Sequence, residues 1–530
     1  MPPSIGTRSQ GSRARLLSGL SALGLGAWLA GCTVGPDYHM PDLPLPESFL
    51  PPVVEAEQKE SRAPPSRRTD FLDWWQSLHD PELDSLIARA LESNLDLEIA
   101  LTRIEEAETQ ELVVIGQSLP AGELDAGGAA GTGSNMTLGR ASPVLRSAEN
   151  SDNLSKRTVV GGFDASWELD IFGKFRRMLE AATDDAEALA SARDWVLVTV
   201  AADVARAYLD MRAFQKELAI LRQNIGVAKG SYDFQKSRFA QGITNELDVA
   251  LAQRHLETLR SEAAPLEAQI AASQHVIAVL LGEFPEELAK ELARPGKLPA
   301  LPARVQPGLP PDLLRRRPDI HAAERQLAAA TARIGVATAD LFPRLIVSGA
   351  LGGQGGTRSS SAVPLTFIGA AGPSLYWPVL DFGTLDATAD IAELQAHEFF
   401  VHYKQTVLTA VRQVDDAVAA YAAAQQRLRD LGRARNAARQ ATKLATDRYD
   451  RGLTDYLNVL DAERQEFELE EQYASTEQTA AEQLTHLYKA LGGGWQRHEV
   501  MPPIKEPQPA IIAAARRVLG EGQVHQPGVQ

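Results

Sequence analysis

The strongest constraint on this chain is that it repeats itself at a fixed spacing. WELDIFG at 167–173 recurs as WPVLDFG at 377–383, RFAQGIT at 238–244 as RYDRGLT at 448–454, and LLG at 280–282 as ALG at 490–492, each 210 residues later. One such match would be noise, whereas three at a constant offset mark a duplication. Earlier in each copy the offset is 223: NLDLEIA from Asn94 aligns with RPDIHAA from Arg317, and Pro120 with Pro343. The first copy therefore carries about 13 extra residues between its proline and its tryptophan. We place this surplus in 121–157, where Gly, Ser and Asn read as a loop. RPGKLPALPARVQPGLPPD at 294–312 joins the copies as a proline-rich linker.

Within each copy the period changes. Residues 174–236 are rich in Ala, Glu, Leu, Arg and Gln without proline, and 384–446 repeat that texture. As helix, each stretch of about 63 residues is roughly 94 Å long. That exceeds the helices of ordinary globular domains and predicts a coiled-coil or tubular arrangement. Gly226 and Gly230 are candidate interruptions of the first. Residues 246–281 and 455–491 predict shorter helices of about 54 Å, and 83–118 would stack on the end of 246–281. Between the helices the period turns to two: in FDASWELD, Phe163, Ala165, Trp167 and Leu169 face one way and Asp164, Ser166, Glu168 and Asp170 the other. A soluble edge strand alternates in the same way. RLIVSGAL from Arg344 and LTFIGAAGPSLYW from Leu365 are also strand-like, around a Ser/Gly/Thr-rich turn at 352–362. Membrane-crossing strands alternate and must close into a barrel, because an open edge leaves backbone groups unpaired in hydrocarbon. Two strands per copy give four per chain, and the smallest barrels need about eight. A symmetric oligomer is implied.

One cysteine, Cys32, precludes any disulfide within the chain. Arg8, Arg13 and Arg15 precede an apolar run over 16–30, the charge order and length of an export signal. Leu29, Ala30 and Gly31 stand just before Cys32, and the stretch resembles the lipobox of bacterial lipoproteins, in which the cysteine is acylated after cleavage; the alternative is an ordinary secretory signal with a chance cysteine. Several fatty chains on one residue hold a protein at a membrane, at about 0.8 kcal/mol per buried methylene. The net charge of -16 argues against general nucleic-acid binding, which needs a basic surface.

The blocks LPPDLLRRRPDIHAAERQLAAATARIGVATADLFPRL (309–345), SLYWPVLDFG (from Ser374), RYDRGLTDYLNVLDAER (from Arg448) and YKALGGGW (from Tyr488) together resemble the outer membrane factors, the exit channels of Gram-negative tripartite efflux pumps, in their lipoprotein branch. The resemblance spans essentially the whole mature chain. It implies a mixed α and β membrane protein, a homotrimer whose four strands per chain make a 12-stranded transmembrane β-barrel continued by a long periplasmic α-helical barrel. Partners would be a periplasmic adaptor (membrane fusion) protein, a proton-driven inner-membrane resistance-nodulation-division pump and outer-membrane lipid. No cofactor beyond a covalent lipid on Cys32 is implied, and no catalytic role. The chain then divides into a signal peptide (1–31), a lipidated N-terminal segment with part of the equatorial belt (32–82), a first repeat (83–293, β-hairpin in about 120–173), a linker (294–311), a second repeat (312–496, β-hairpin in about 343–383) and a tail (497–530).

Gly242 and Gly452 each end a long helix, with Thr244, Asn245, Thr454 and Asp455 as candidate caps. In the resembling family these turns are the periplasmic tips that dock the adaptor. The resemblance further places Asp461 on a pore constriction and Asn458 where some members carry a second aspartate. Three copies of Asp461 would repel one another and attract cations; the plain alternative is a solvated residue on a helix surface. Tyr449 and Asp248 match a family pair that shares a hydrogen bond near the tip. Thr454 stands where some members carry an arginine. Arg315, Arg316, Arg317 and Asp319 surround Pro318, which suits a helix's first turn, with Glu324 and Arg325 one to two turns on. They read as polar staples between linker and helix end, with direct substrate contact the sharper alternative. Ten scattered histidines make no metal cluster, and no nucleophile motif or nucleotide loop appears. Two other readings remain open on the sequence: the outer component of a type I protein secretion system, which shares this fold, and a non-conducting scaffold lipoprotein, which would lack amphipathic strands.

Overall fold

The computed structural model describes residues 33–46, 48–49, 73–130, 157–302, 305, 310–358 and 361–495. Cys32, the signal segment and the tail after residue 496 lie outside the described residues. The chain runs α1 (Pro81–Ser93), α2 (Leu95–Ser118), β1 (Ala121–Ala130), β2 (Arg157–Leu169), α3 (Lys174–Ala240), α4 (Glu246–Ser261), α5 (Ala263–Leu280), the short α6 (Pro285–Leu288), α7 (Pro310–Arg316), α8 (Pro318–Ala339), β3 (Arg344–Arg358), β4 (Ser361–Tyr376), α9 (Thr384–Asp450) and α10 (Tyr456–Ala490).

Both long helices contain 67 residues. Each is roughly 100 Å long. Gly226 and Gly230 do not interrupt α3, since a glycine costs only about 1 kcal/mol in a helix interior and the packed helix carries that cost. The expected single helix over 246–281 is instead split between α4 and α5 at Glu262. Pro265 supplies the reason: it has no N–H for the Ser261 carbonyl, and its ring crowds that group. The expected helix over 83–118 likewise breaks, at Asn94, into α1 and α2, and α2 alone continues from the end of α5, where Asn94 Nδ2 donates to the Leu280 carbonyl at 2.8 Å.

Four antiparallel strands form one sheet in the order β1-β2-β3-β4, so β2 and β3 join the two repeats and β1 and β4 are edges. Part of the segment expected to be a loop is strand: β1 occupies 121–130 and β2 begins at Arg157. The turn expected over 352–362 is also shorter, because β3 continues to Arg358 and β4 starts at Ser361. Glycine-rich runs carry little strand signal of their own, and here the ladder with neighbouring strands holds them extended.

Register sorts the side chains into two faces. Leu124 lies opposite Phe163, Phe163 opposite Leu351, Trp167 opposite Val347 and Leu345 opposite Leu375. On the other face, Glu123 pairs with Asp164, and Ser166 with Ser348. The sheet is thus apolar on one side and largely polar on the other, and its apolar side chains are exposed. Strands of 10 to 16 residues meet or exceed the about 9–11 that a tilted strand needs to cross a bilayer. Among the described residues no helix is long and apolar enough to do so.

Trp167 Nε1 donates to the Ser118 carbonyl at 3.0 Å, and Trp377 Nε1 to the Leu341 carbonyl at 3.1 Å, so each repeat ties strand to preceding helix by the same bond. Gly173 and Gly383, both at φ +82°, turn strand into long helix. The helix start is capped by Asp170 in one copy, on the amides of Phe175 and Arg176, and by Asp381 in the other, on the amides of Gly383 and Leu385. A principal core lies where α1, the middle of α3, α8, α9 and the end of α10 meet, around Trp74, Tyr208, Tyr403 and Leu484. Trp74 stacks on Tyr488 with ring centroids 4.7 Å apart.

Candidate functional site

Three places gather the residues singled out in the sequence: the helix tips, the junctions where helices meet end to end, and the boundary between sheet and helices.

At the tips, the Gly242 amide donates to the Phe239 carbonyl (2.9 Å) and the Ile243 amide to the Arg238 carbonyl (2.9 Å). Gly452 and Leu453 make the same bonds to Tyr449 and Arg448, at 2.8 and 2.9 Å. This pattern closes a helix only with a left-handed residue, and the glycines sit at φ +72° and +71°. A Cβ at either glycine would meet open space, so nothing but backbone conformation demands glycine there. Beside the turns, Ile243, Leu247, Leu453 and Leu457 are each about 60% exposed, an apolar rim repeated in both copies. Asn245 caps α4 by accepting from the Asp248 amide at 2.9 Å, whereas Asp455 makes no side-chain cap.

The proposed gate residues are arranged differently from the pairing implied by the resemblance. In the single chain, Asp248 accepts from the Thr244 hydroxyl, and the Tyr449 hydroxyl lies 3.1 Å from both ends of the Gln235 amide. Gln235 is fully buried and was not marked in the sequence. Arg238 lies over the Tyr449 ring at 5.1 Å. Asn458 donates to the Thr454 hydroxyl at 2.7 Å, and Asp461 accepts from Gln465 at 2.7 Å. The Asp461 side chain is 54% exposed.

The arginine signature sits at a splice. Arg317 Nη1 donates to the Ala490 carbonyl, the end of α10, at 3.0 Å. Its other nitrogens reach Asp319 at 3.0 and 2.6 Å and Gln413 at 2.9 Å, and Trp195 covers the guanidinium at 4.9 Å. Trp495 donates to the Arg316 carbonyl at 2.9 Å. The Arg315 side chain lies outside the described residues. Pro318 opens α8, where a missing N–H costs nothing. The first copy makes the same splice with a neutral side chain: Asn94 Nδ2 donates to the Leu280 carbonyl at 2.8 Å while its Oδ1 caps α2. Leu280 and Ala490 are 210 apart, so the two splices are equivalent.

At the sheet boundary the structure adds residues that sequence reasoning missed. Residues 33–38 lie as a strap across α3 and α8. The Val34 amide donates to the Phe172 carbonyl at 3.1 Å. Buried Arg177 donates to the carbonyls of Val34 (3.2 Å) and Gly35 (3.3 Å), to Asp37 (2.7 Å) and to Glu180 (2.7 Å). Gly35, at φ +90°, crosses Gly335 so closely that a Cβ would stand 2.4 Å from the Gly335 Cα. Further along, the Tyr38 hydroxyl donates to Glu324 at 3.2 Å, under Arg325. Burial pushes the Glu324 carboxyl up, but hydrogen bonds from His321 and Arg325 outweigh it and hold the group at about 2. Burial raises Asp184 to about 7 despite its bond to Arg325. The sequence held only half a signal for the strap: Arg177 has Ala387 as its counterpart 210 residues on, but that the arginine is buried, and so serves something the second copy lacks, is seen only in the structure.

With this geometry in hand, the comparisons are specific. The model of the family described as outer membrane efflux protein matches residues 86–283 and 309–493, one match per repeat. Outer membrane protein OprJ of Pseudomonas aeruginosa is 32% identical over 489 residues, covering 90% of this chain and 96% of that protein. Nodulation protein T of Rhizobium leguminosarum bv. trifolii is 31% identical over 467 residues, covering 88% and 95%. Among solved structures, the outer-membrane channel OprN superposes with a TM-score of 0.74 at 34% identity, covering 88% of this chain and all of that one.

Proposed function

The chain belongs to the outer membrane efflux protein family, and from that premise we infer that it is the passive exit duct of a tripartite efflux system, working with a periplasmic adaptor and a proton-driven inner-membrane pump. The observation that carries this reading is a sheet with one apolar face and two unpaired edges, set at the end of two helices of 67 residues. Edges of this kind must be closed in a membrane. Three copies of four strands make the 12-stranded barrel of the family, and the long helices continue it into the periplasm. Its polar face then lines a water-filled lumen, and small toxic or amphiphilic solutes pass through without chemistry.

Within this reading the residues take separate parts. Acylated Cys32 anchors the mature chain in the outer membrane. Gly242, Thr244, Gly452 and Thr454 form the tips, where the exposed apolar rim receives the adaptor. Asp461 and Asn458 face the constriction, and Tyr449, bonded to Gln235, steadies the coils beside it, while Asp248 braces the first tip through Thr244. Arg316, Arg317, Pro318, Asp319 and Glu324 are supports of the helical tube. The test is to replace Gly242 and Gly452 with tryptophan in a strain that depends on this channel. Each glycine faces open space, so the cost is confined to the left-handed backbone of the turn, roughly 1–2 kcal/mol, and trimers and membrane insertion should persist while solute efflux is lost. Full efflux in the double variant would remove the tips from docking.

A further inference from the structure

The two repeats prescribe how one copy of the chain meets the next. The part of the second repeat up to its first strand follows the first repeat by 223 residues, and the part from its second strand onward by 210. These offsets carry the first hairpin onto the second residue by residue. Ala121 opposite Ser166 becomes Arg344 opposite Tyr376, and Leu124 opposite Phe163 becomes Val347 opposite Pro373, both of them observed pairs. The repeat is therefore kept in strand pairing as well as in sequence. Carried from β2 and β3, it yields the pairing that one chain cannot make, β4 against β1 of a second copy.

Trp167 opposite Val347 becomes Trp377 opposite Leu124 of the next copy, and Ala165 opposite Gly349 becomes Leu375 opposite Ala126. Ser166 opposite Ser348 becomes Tyr376 opposite Asp125, and Asp164 opposite Ala350 becomes Ser374 opposite Gly127. The faces support this register independently of the numbering. Trp377, Leu375 and Leu124 are all exposed in the single chain and fall together on the apolar face, whereas Tyr376, Ser374 and Asp125 fall on the other. A slip of one residue would bring the apolar side of one edge onto the polar side of the other.

Because α2 runs into β1 and α9 leaves β4, the helices continue the closure of the strand edges. Inside the chain the equivalent seam, α3 on α8, is ionic: Lys174 reaches Asp340 at 2.6 Å, Asp184 reaches Arg325 at 3.0 Å, and Asp185 pairs with Arg333. Between copies these become Thr384 with Gln117, Leu394 with Thr102 and Gln395 with Gln110. No charge remains, and all six side chains are exposed in the single chain.

We propose that copies of this chain join in this register, β4 on the β1 of the next, and through a charge-free seam of α9 on the next copy's α2. Such a joint is head to tail and closes as a ring. It rests on the trimeric exit-duct reading and adds to it the residues that meet.

Disulfide trapping reads the register. Opposed residues of an antiparallel pair have Cα atoms about 4.5–5.5 Å apart, within the reach of a disulfide, whereas diagonal neighbours stand about 7–8 Å apart. Inside one chain β1 and β4 are three strand spacings apart, about 14 Å along the sheet, so a bond between them joins two copies. A Cβ at Gly127 or Gly372 meets open space, so both positions accept cysteine. The purified oligomer of Ser374→Cys with Gly127→Cys is oxidised and run on a denaturing gel without reductant. Covalent dimers and trimers should exceed at least tenfold those of Gly372→Cys with Gly127→Cys, the pair displaced by two. The parent chain, with Cys32 as its one cysteine, is the blank. Equal yields, or a higher yield from the displaced pair, overturn the register. For the helices, which leave the strands untouched, Leu394→Asp should lower the trimer fraction at least fivefold. Adding Thr102→Arg should restore it, by rebuilding between copies the ion pair that Asp184 and Arg325 make within one. A double variant as dissociated as the single one overturns the seam. The duct reading fails separately, if the parent chain itself is monomeric.

Discussion

Arg317→Met compared with Asn94→Ala measures how the two helix splices are held. Both side chains donate to the last carbonyl of a preceding helix, yet one is charged and only 1% exposed and the other is neutral. Methionine keeps the stem of Arg317 and removes the guanidinium. The Ala490 carbonyl, Gln413 and the Asp319 carboxylate then lose their donor, and breaking such a buried pair costs about 3–5 kcal/mol. Asn94→Ala loses a helix cap, about 1 kcal/mol, and one donor to a carbonyl, about 1–2 kcal/mol. Hydrogen exchange resolves the two events locally. At 1.4 kcal/mol per factor of ten, amides around Leu491 and the first turn of α8 should lose roughly a thousandfold protection in Arg317→Met. Those around Leu281 and the first turn of α2 should lose roughly thirty- to a hundredfold in Asn94→Ala. Equal losses at the two splices, or a loss spread evenly along α10, would falsify the claim that Arg317 is a local splice with a charged core.

Glu324→Gln gives a pH-dependent loss. A carboxyl held at about 2 in the folded chain against an ordinary 4.5 contributes about 3 kcal/mol, fully present above pH 4.5 and lost as pH falls toward 2. Urea midpoints of variant and wild type should therefore differ most at neutral pH and converge in acid; a constant gap refutes the assignment. In Arg177→Met the strap should detach, seen as rapid motion of a nitroxide on His39→Cys and as cleavage by added protease, while the trimer persists; an immobile label would show that Arg177 does not hold it. In planar bilayers Asp461→Ala should reduce cation preference, and unchanged selectivity would take Asp461 out of the pore.

Much of the architecture was legible because duplication lets each half check the other. Two proline-free stretches of equal length gave the long helices, and RFAQGIT with RYDRGLT gave two tips whose glycines share one backbone conformation. Strand ends were less legible. β1 is AGELDAGGAA, and a run so poor in branched residues is a strand only because Leu124 and Glu123 find register partners on β2. Pro265 was readable by the ordinary proline rule, yet the helical texture around it masked the break.

What the repeat could not reveal lies where the copies differ. Asn94 and Arg317 occupy equivalent positions and perform one task, so comparing them by residue type hides a shared role that only the acceptor carbonyls, 210 apart, disclose. Arg177 and Gln235 face the opposite case: their counterparts are Ala387 and Ala445, and their tasks exist in one copy only. Arg177 answers the strap, which the chain has once. Gln235 answers Tyr449, whose own counterpart, Phe239, has no hydroxyl to be satisfied. Tyr456 and Glu463 also differ from their counterparts, Glu246 and Gln253. A duplicated tube with threefold symmetry would otherwise present six equivalent coils; these unpaired differences are what make the second tip chemically distinct from the first. A partner or ligand that distinguishes the two tips must read them through residues of this kind.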